Sequence, residues 1–305
     1  MKQGHQLFLK ANLAVFMAEL FNALNINSQK YLLPEWCSPV SMFLLRAGFA
    51  TLLFWIISLL SSKKTRKQTI PFADIIKMIF AGVLFLSGYI AFYLFGVELS
   101  SSVDSSLLFT TMPIFVFILS YLIFNESISK RKILGLLTGI AGTIWIVIEQ
   151  DIHHSADHNT ILGNIFCLIS ALCYALYLIT NKQFVKRYGI ITMLKWMFTG
   201  AFMVASVLSY FYGFDAKVLS KQTEVFPVLT FVFVLIFPTF LTYLLLPYGL
   251  KRLNTTTVSI YDYEVPIVAT IVAVIFMKEA ISLQQILSAG LIFIGVFLVS
   301  SEKQE

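Results

Sequence analysis

Apolar residues run along the chain in blocks of about twenty, parted by short polar connections. A surface helix of a soluble protein shows a one-sided apolar stripe instead of such all-round blocks. Ten blocks are predicted as helices: 8–30, 39–60, 73–96, 102–124, 131–149, 161–181, 190–212, 226–249, 256–277 and 283–301. Each comes close to the roughly 20 residues that a helix needs to cross the hydrocarbon. The connections are short, so no separate soluble domain is expected. The expected fold is all-α: a polytopic membrane protein with ten transmembrane helices.

Composition closes off other classes. Hydrophobic residues make up 58% of the 305 and charged residues 12%, with a mean hydropathy of +0.83. One soluble core of this size could not hide that much apolar surface. A water-soluble enzyme and a disordered chain are excluded. Cys37, Cys167 and Cys173 form no CxxC and no framework of bridges. The first block reads as a retained helix, not a cleaved signal, because Asn12, Glu19, Asn22, Asn25 and Asn27 interrupt it.

The net charge of +6 invites a nucleic-acid reading, so its placement decides. With the N-terminus inside, only Lys30, Lys217, Lys221 and Lys278 fall on outer segments, and Arg46, Lys77 and Lys195 fall within spans. The other fifteen of the 22 Lys and Arg residues are inside. That asymmetry is the positive-inside signal of a membrane protein. It accounts for the basic character without nucleic acid and places both termini in the cytoplasm. The expected location is a plasma membrane, the inner membrane in a bacterium.

The halves also match each other. Shifted by 153, Gly96, Ser106, Pro113, Glu126, Ser129 and Gly142 fall on Gly249, Ser259, Pro266, Glu279, Ser282 and Gly295. Shifted by 152, Asn12, Leu20, Ala23 and Lys30 fall on Asn164, Leu172, Ala175 and Lys182. Residues 1–150 and 151–305 are therefore expected to be two five-helix repeats forming one membrane unit. Five is odd, so the second repeat enters from the opposite face. Inverted repeats build transporters that rock around a midplane site.

The ordered set of a Pro in each fourth helix, a Glu that ends it and a Gly-bearing fifth helix resembles the EamA family of the drug/metabolite transporter superfamily. The segments LNINSQKYLLP (24–34), FLLRAGFATLLFW (43–55) and YDYEVPIVA (261–269) resemble it too. Where that family usually carries Trp-Gly before Leu24-Asn25, this chain has Asn22-Ala23, with an added Glu19. The resemblance implies a secondary transporter, often an exporter of small metabolites, that hydrolyses no ATP. No GxxxxGK[ST] motif is present to suggest otherwise.

Ionisable groups at membrane depth mark a pathway or a pair. Asn12, Glu19 and Asn22 fall on one side of the first helix. Glu19 reads either as a substrate or proton-coupling carboxylate or as the structural partner of Arg46. Asp262 and Glu264 precede Pro266 and read either as functional carboxylates or as acceptors for freed backbone. Tyrosines recur at helical spacing as Tyr89/Tyr93, Ser170/Tyr174/Tyr177 and Thr239/Tyr243, with Tyr261 following. Their polar-tipped rings suit a ligand wall. The candidate substrate-binding set is Glu19, Asn22, Tyr93, Tyr174, Tyr243, Tyr261, Asp262 and Glu264, with Pro113, Pro238 and Pro266 as hinges.

Gly135, Gly139 and Gly142 read as a packing seam. The loop DIHHSADHNT holds His153, His154 and His158 but matches no zinc spacing and reads as a solvated connection. No catalytic residue, metal or cofactor is expected. The expected partners are a small-molecule substrate, the lipid bilayer and, as one possible drive, protons. The expected function is secondary active or facilitative export of small metabolites such as amino acids or amphipathic compounds. The alternatives are a membrane-embedded enzyme acting on a lipid-soluble substrate and a non-transporting scaffold or sensor.

Overall fold

A computed structural model describes residues 2–60, 70–124, 129–153, 158–220, 224–253, 261 and 264–300. Among them the chain is helical and contains no β-strand. The first helices are α1 (Lys2–Leu32) and α2 (Pro39–Leu60). A third, continuous helical stretch is α3 (Phe72–Ala81), a π-turn (Gly82–Leu86) and α4 (Ser87–Leu99). The fourth is α5 (Ser102–Phe109) and α6 (Met112–Phe124). There follow α7 (Lys130–His153), α8 (His158–Tyr188) and α9 (Ile190–Tyr212). The eighth stretch is α10 (Val225–Ile236), a second π-turn (Phe237–Leu241) and α11 (Thr242–Leu250). The last two helices are α12 (Glu264–Phe276) and α13 (Leu283–Ser300).

Seven helical stretches among the described residues are long and apolar enough to cross a membrane, and two shorter apolar helices, Glu264–Phe276 and Leu283–Leu298, accompany them. Large apolar side chains cover the outside, among them Leu13, Leu52, Phe80, Leu137, Met203 and Ile275. Such a surface is stable only against lipid. Several predicted boundaries move. The first helix begins at Lys2 rather than 8, and α7 and α8 convert most of the His-bearing loop into helix, leaving only 154–157 outside the described residues.

Serine hydroxyls start several of the helices. Ser101 Oγ accepts the Asp104 N–H at 2.9 Å to open α5. Ser129 Oγ accepts the Lys132 N–H at 3.2 Å ahead of α7. Ser282 Oγ accepts the Gln285 N–H at 3.0 Å, and Gln285 Oε1 accepts the Ser282 N–H at 2.9 Å, a reciprocal capping box for α13. Ser129 and Ser282 are a matched pair at offset 153, and their shared task explains the match. Glu279 accepts the backbone N–H groups of Ser102 and Val103 at 3.1 and 3.3 Å, placing negative charge at the start of α5.

The glycine seam is a contact within the chain. α7 packs along α13 so closely that a Cβ on Gly295 would lie 2.5 Å from the Gly139 nitrogen, and one on Gly142 would lie 2.8 Å from the Ser288 oxygen. A second such contact joins the first π-turn to α9, where a Cβ on Gly82 would lie 2.1 Å from the Met197 oxygen. Where the third helical stretch begins and the sixth ends, Tyr188 donates to the Asp74 carboxylate, which also takes Arg187 Nη1 at 3.1 Å. That bond holds the Tyr188 phenol above its ordinary pKa. The stabilisation is lost as pH rises through the phenol's raised pKa and as it falls far enough to protonate the Asp74 carboxyl.

Gly295→Ala is expected to force α7 and α13 apart. The expected loss is about 1–3 kcal/mol, typical of overpacking, read as a lower thermal unfolding midpoint of the purified protein. An unchanged midpoint would contradict the backbone-to-backbone contact.

Candidate functional site

The centre of the bundle is built from rings on five of the helical stretches. Tyr89 lies 4.7 Å from Tyr174 and 5.8 Å from Phe109, and Tyr93 lies 5.4 Å from Phe109, all between ring centroids. Phe109 and Tyr174 are 5.5 Å apart. Tyr174 stacks on Tyr177 at 5.6 Å, Tyr177 meets Tyr243 edge-on at 6.5 Å, and Tyr243 meets Phe198 edge-on at 5.1 Å. These offset and edge-to-face arrangements are the favourable ones for aromatic pairs. Ser170 Oγ donates to the Tyr89 carbonyl at 2.9 Å and fixes α8 against α4 below the cluster.

Arg46 reaches this cluster from α2. It is 4% exposed, and its Nε donates to Thr239 Oγ1 at 2.7 Å. The reason lies in Pro238. Proline has no N–H, so the carbonyl four residues earlier, that of Val234, loses its ordinary helical donor. Thr239 Oγ1 donates to that carbonyl at 2.7 Å. Its lone pairs are then directed at Arg46. The partner given to Arg46 is thus a hydroxyl on the second π-turn, instead of the Glu19 that the sequence offered.

Glu19 and Asn22 lie on the α1 face that meets α12. Asn22 Nδ2 donates to Glu19 Oε2 at 3.1 Å, and Glu19 is buried. Two contacts bracket this face: Asn27 Nδ2 donates to the Ala269 carbonyl at 3.0 Å, and Tyr261 donates to Asn12 Oδ1 at 3.0 Å. Glu264, on α12, lies between those levels. Its Oε1 is buried and accepts no hydrogen bond from the described residues, and the next residue, Val265, packs with Tyr93 and Ala23.

Three of the predicted tyrosines, Tyr93, Tyr174 and Tyr243, are brought together. Tyr261 is not: its ring meets Phe16 edge-on at 6.5 Å and packs beside Val15 and Leu253, away from the cluster. Asp262 lies outside the described residues. Pro113 follows the interruption at Thr110–Thr111 that splits α5 from α6, where Thr110 and Thr111 hydroxyls donate back to the Ser106 and Leu108 carbonyls at 2.8 and 2.6 Å. Pro238 sits inside a π-turn. Pro266 lies two residues into the described part of α12. Phe109 and Phe198 were not singled out in the sequence, because nothing separates them from the other phenylalanines there.

Two cavities open sideways from the bundle. One of about 650 Å³ is lined mainly by Leu44, Phe49, Phe202, Tyr210 and Leu235. The other, of about 400 Å³, is bordered by Val103, Pro266, Ile271, Gln285 and Phe293. Of the predicted site residues only Pro266 borders either. Among the described residues no group of three His, Cys, Asp or Glu side chains is placed to hold a metal.

The model of the EamA-like transporter family matches this chain twice, over residues 9–148 and 161–301. The chain belongs to the EamA-like transporter family. This transporter is 25% identical over 265 residues to an uncharacterized transporter of Archaeoglobus fulgidus, covering 87% of this chain and 90% of that one. It is 22% identical over 281 residues to the uncharacterized transporter YyaM of Bacillus subtilis, covering 92% and 90%. YoaV of the same organism, another uncharacterized transporter, is 27% identical over 212 residues, covering 69% and 70%. A solved crystal structure of a protein shares the fold with a TM-score of 0.63 at 17% identity, over 95% of this chain and 96% of that one. The transporter is therefore an integral, multi-pass membrane protein that handles small molecules in a lipid setting, and membership in a carrier family reads against enzymatic chemistry.

Phe109 touches the rings of Tyr89, Tyr93 and Tyr174, so Phe109→Ala is expected to cost about 3–5 kcal/mol and Phe109→Leu less than about 1.5 kcal/mol. Thermal unfolding in detergent checks this. Equal midpoints for the two variants would contradict a close-packed cluster.

Proposed function

We propose that the protein is a secondary transporter that exports small metabolites, such as amino acids or amphipathic compounds, by alternating access through the aromatic centre. Residues 1–150 and 151–305 act as two inverted five-helix repeats, ten spans in all. Both termini lie in the cytoplasm, and the membrane is the plasma membrane, the inner one in a bacterium. Glu19, Asn22, Tyr93, Tyr174, Tyr243 and Glu264 face the solute, and Tyr261 lines its cytoplasmic approach.

One observation carries this reading: the packing has the exchange symmetry that inverted repeats require. The second helices of the halves pack on each other (α2 on α9), as do the fifth (α7 on α13). The third helix of the first half packs on the first of the second half (α4 on α8), and the converse pair also packs (α11 on α1). The two π-turns add to it, interrupting the third helix of each half near the expected offset. The doubled family match adds a third support. With the rings closed over the centre, passage requires the two bundles to part there, with Pro113 and Pro238 as the points of give. Glu264 and Glu19 are the groups that would exchange protons if transport is proton-driven. The substrate's own gradient is the other drive.

In a variant with the three native cysteines replaced by serine, Tyr174→Cys in liposomes is expected to react with a membrane-impermeant thiol reagent from either side. Reaction from one side only, or from neither, contradicts alternating access. For proton coupling, phenylalanine serves as the probe amino acid. Uptake into liposomes under an imposed pH gradient is expected to lose its dependence on that gradient in Glu264→Gln. A gradient dependence equal to wild type would exclude Glu264 as the coupling group.

A further inference from the structure

Arg46 is a buried charge that meets no counter-charge among the described residues. Its Nε bonds Thr239, and its Nη1 and Nη2, with four N–H groups between them, donate to no group among the described residues. The titratable side chains that face it are the phenols of Tyr89, Tyr93 and Tyr243, from the third and eighth helical stretches. Among the described residues no carboxylate forms an ion pair with it. A guanidinium held at membrane depth is costly unless something anionic answers it. The fold nevertheless holds this one in place, through a threonine that is itself fixed to the Val234 carbonyl.

We propose that Arg46 is the anion receptor of the transport site and takes the carboxylate of a small organic acid, whose apolar body lies against Tyr89, Tyr93 and Tyr243. The assignment rests on the transporter reading above. A planar guanidinium with both terminal nitrogens open matches a carboxylate in a two-pronged hydrogen bond. The low-polarity surroundings strengthen that bond and penalise a neutral analogue, which would leave the charge unanswered. The tyrosine faces give the apolar body of the ligand an amphipathic wall. Thr239 is a positioning residue: it touches no ligand but orients the guanidinium, because its proton is committed to Val234 and its lone pairs to Arg46.

The test uses the full chain in lipid nanodiscs and equilibrium binding of matched probes, 3-phenylpropionate, 3-phenylpropionamide and phenylphosphonate. Wild type is expected to bind the acid and to bind the amide at least about tenfold more weakly. Arg46→Gln is expected to lose acid binding by about tenfold or more. Thr239→Val is expected to weaken it about fivefold, and Thr239→Ser, which keeps the hydroxyl, restores it. Equal binding of acid and amide by wild type, or no acid binding, overturns the proposal, and this comparison stands even if a variant fails to fold. Undiminished acid binding in Arg46→Gln overturns it as well, and phenylphosphonate binding tighter than the acid overturns the carboxylate assignment. Thiol labelling of Tyr174→Cys on the same preparation keeps the two readings apart. Acid binding without two-sided labelling removes alternating access but not the receptor, and the reverse result removes the receptor alone.

Discussion

A backbone carbonyl that loses its donor inside a bilayer has no water to turn to, and this constraint organises the centre of the molecule. Pro238 creates such a carbonyl at Val234. Thr239 answers it, and in doing so presents an acceptor that Arg46 takes at 2.7 Å. One missing N–H thus ends in the placement of a guanidinium among tyrosines. The fourth helical stretch solves a similar problem before Pro113, where the hydroxyls of Thr110 and Thr111 bond back to carbonyls of the preceding turn. In both places the helix is broken without leaving its backbone unanswered, so a site of irregular backbone can persist at membrane depth.

The ring cluster has a second consequence. Its members come from the third, fourth, sixth, seventh and eighth helical stretches, so no single helix carries it. Relative movement of these stretches must therefore change it. Ring pairs suit such a role, since each is worth roughly 0.5–1.5 kcal/mol beyond its buried area and can be remade in another geometry. The glycine contact of α7 with α13 is the opposite kind of interface. Backbones that touch through Gly139 and Gly295 leave little freedom to slide, which suits a fixed part of the frame.

Much of the architecture was legible in the sequence because lipid imposes a simple rule on hydropathy. The predicted spans recur as helices where they are described, although the first helix starts at Lys2 instead of 8 and the sixth runs on to Tyr188 instead of 181. The tyrosine spacings led to Tyr93, Tyr174 and Tyr243 because i, i+3 and i+4 positions share a helix face. The matched Ser129 and Ser282 were visible as letters, and their capping role gives the physical reason. What stayed hidden depended on which helices meet. Glu19 and Arg46 looked like partners by depth, yet α1 turns Glu19 toward Asn22 while α2 turns Arg46 toward the second π-turn. Tyr261 looked like a fourth ring by sequence position, but its hydroxyl is drawn to Asn12. The π-turns themselves have no sequence signature, since one starts at a glycine and the other holds a proline.

The central claim is that solute meets the protein at the ring cluster, beside Arg46, and not in the lateral grooves. A high-resolution map of the protein in nanodiscs saturated with 3-phenylpropionate tests it directly. The account predicts density between Arg46 and the parted rings of Tyr89, Tyr93 and Tyr243. Density confined to the groove lined by Phe49 and Phe202 or to that bordered by Gln285 and Phe293, with the rings unmoved, would contradict it.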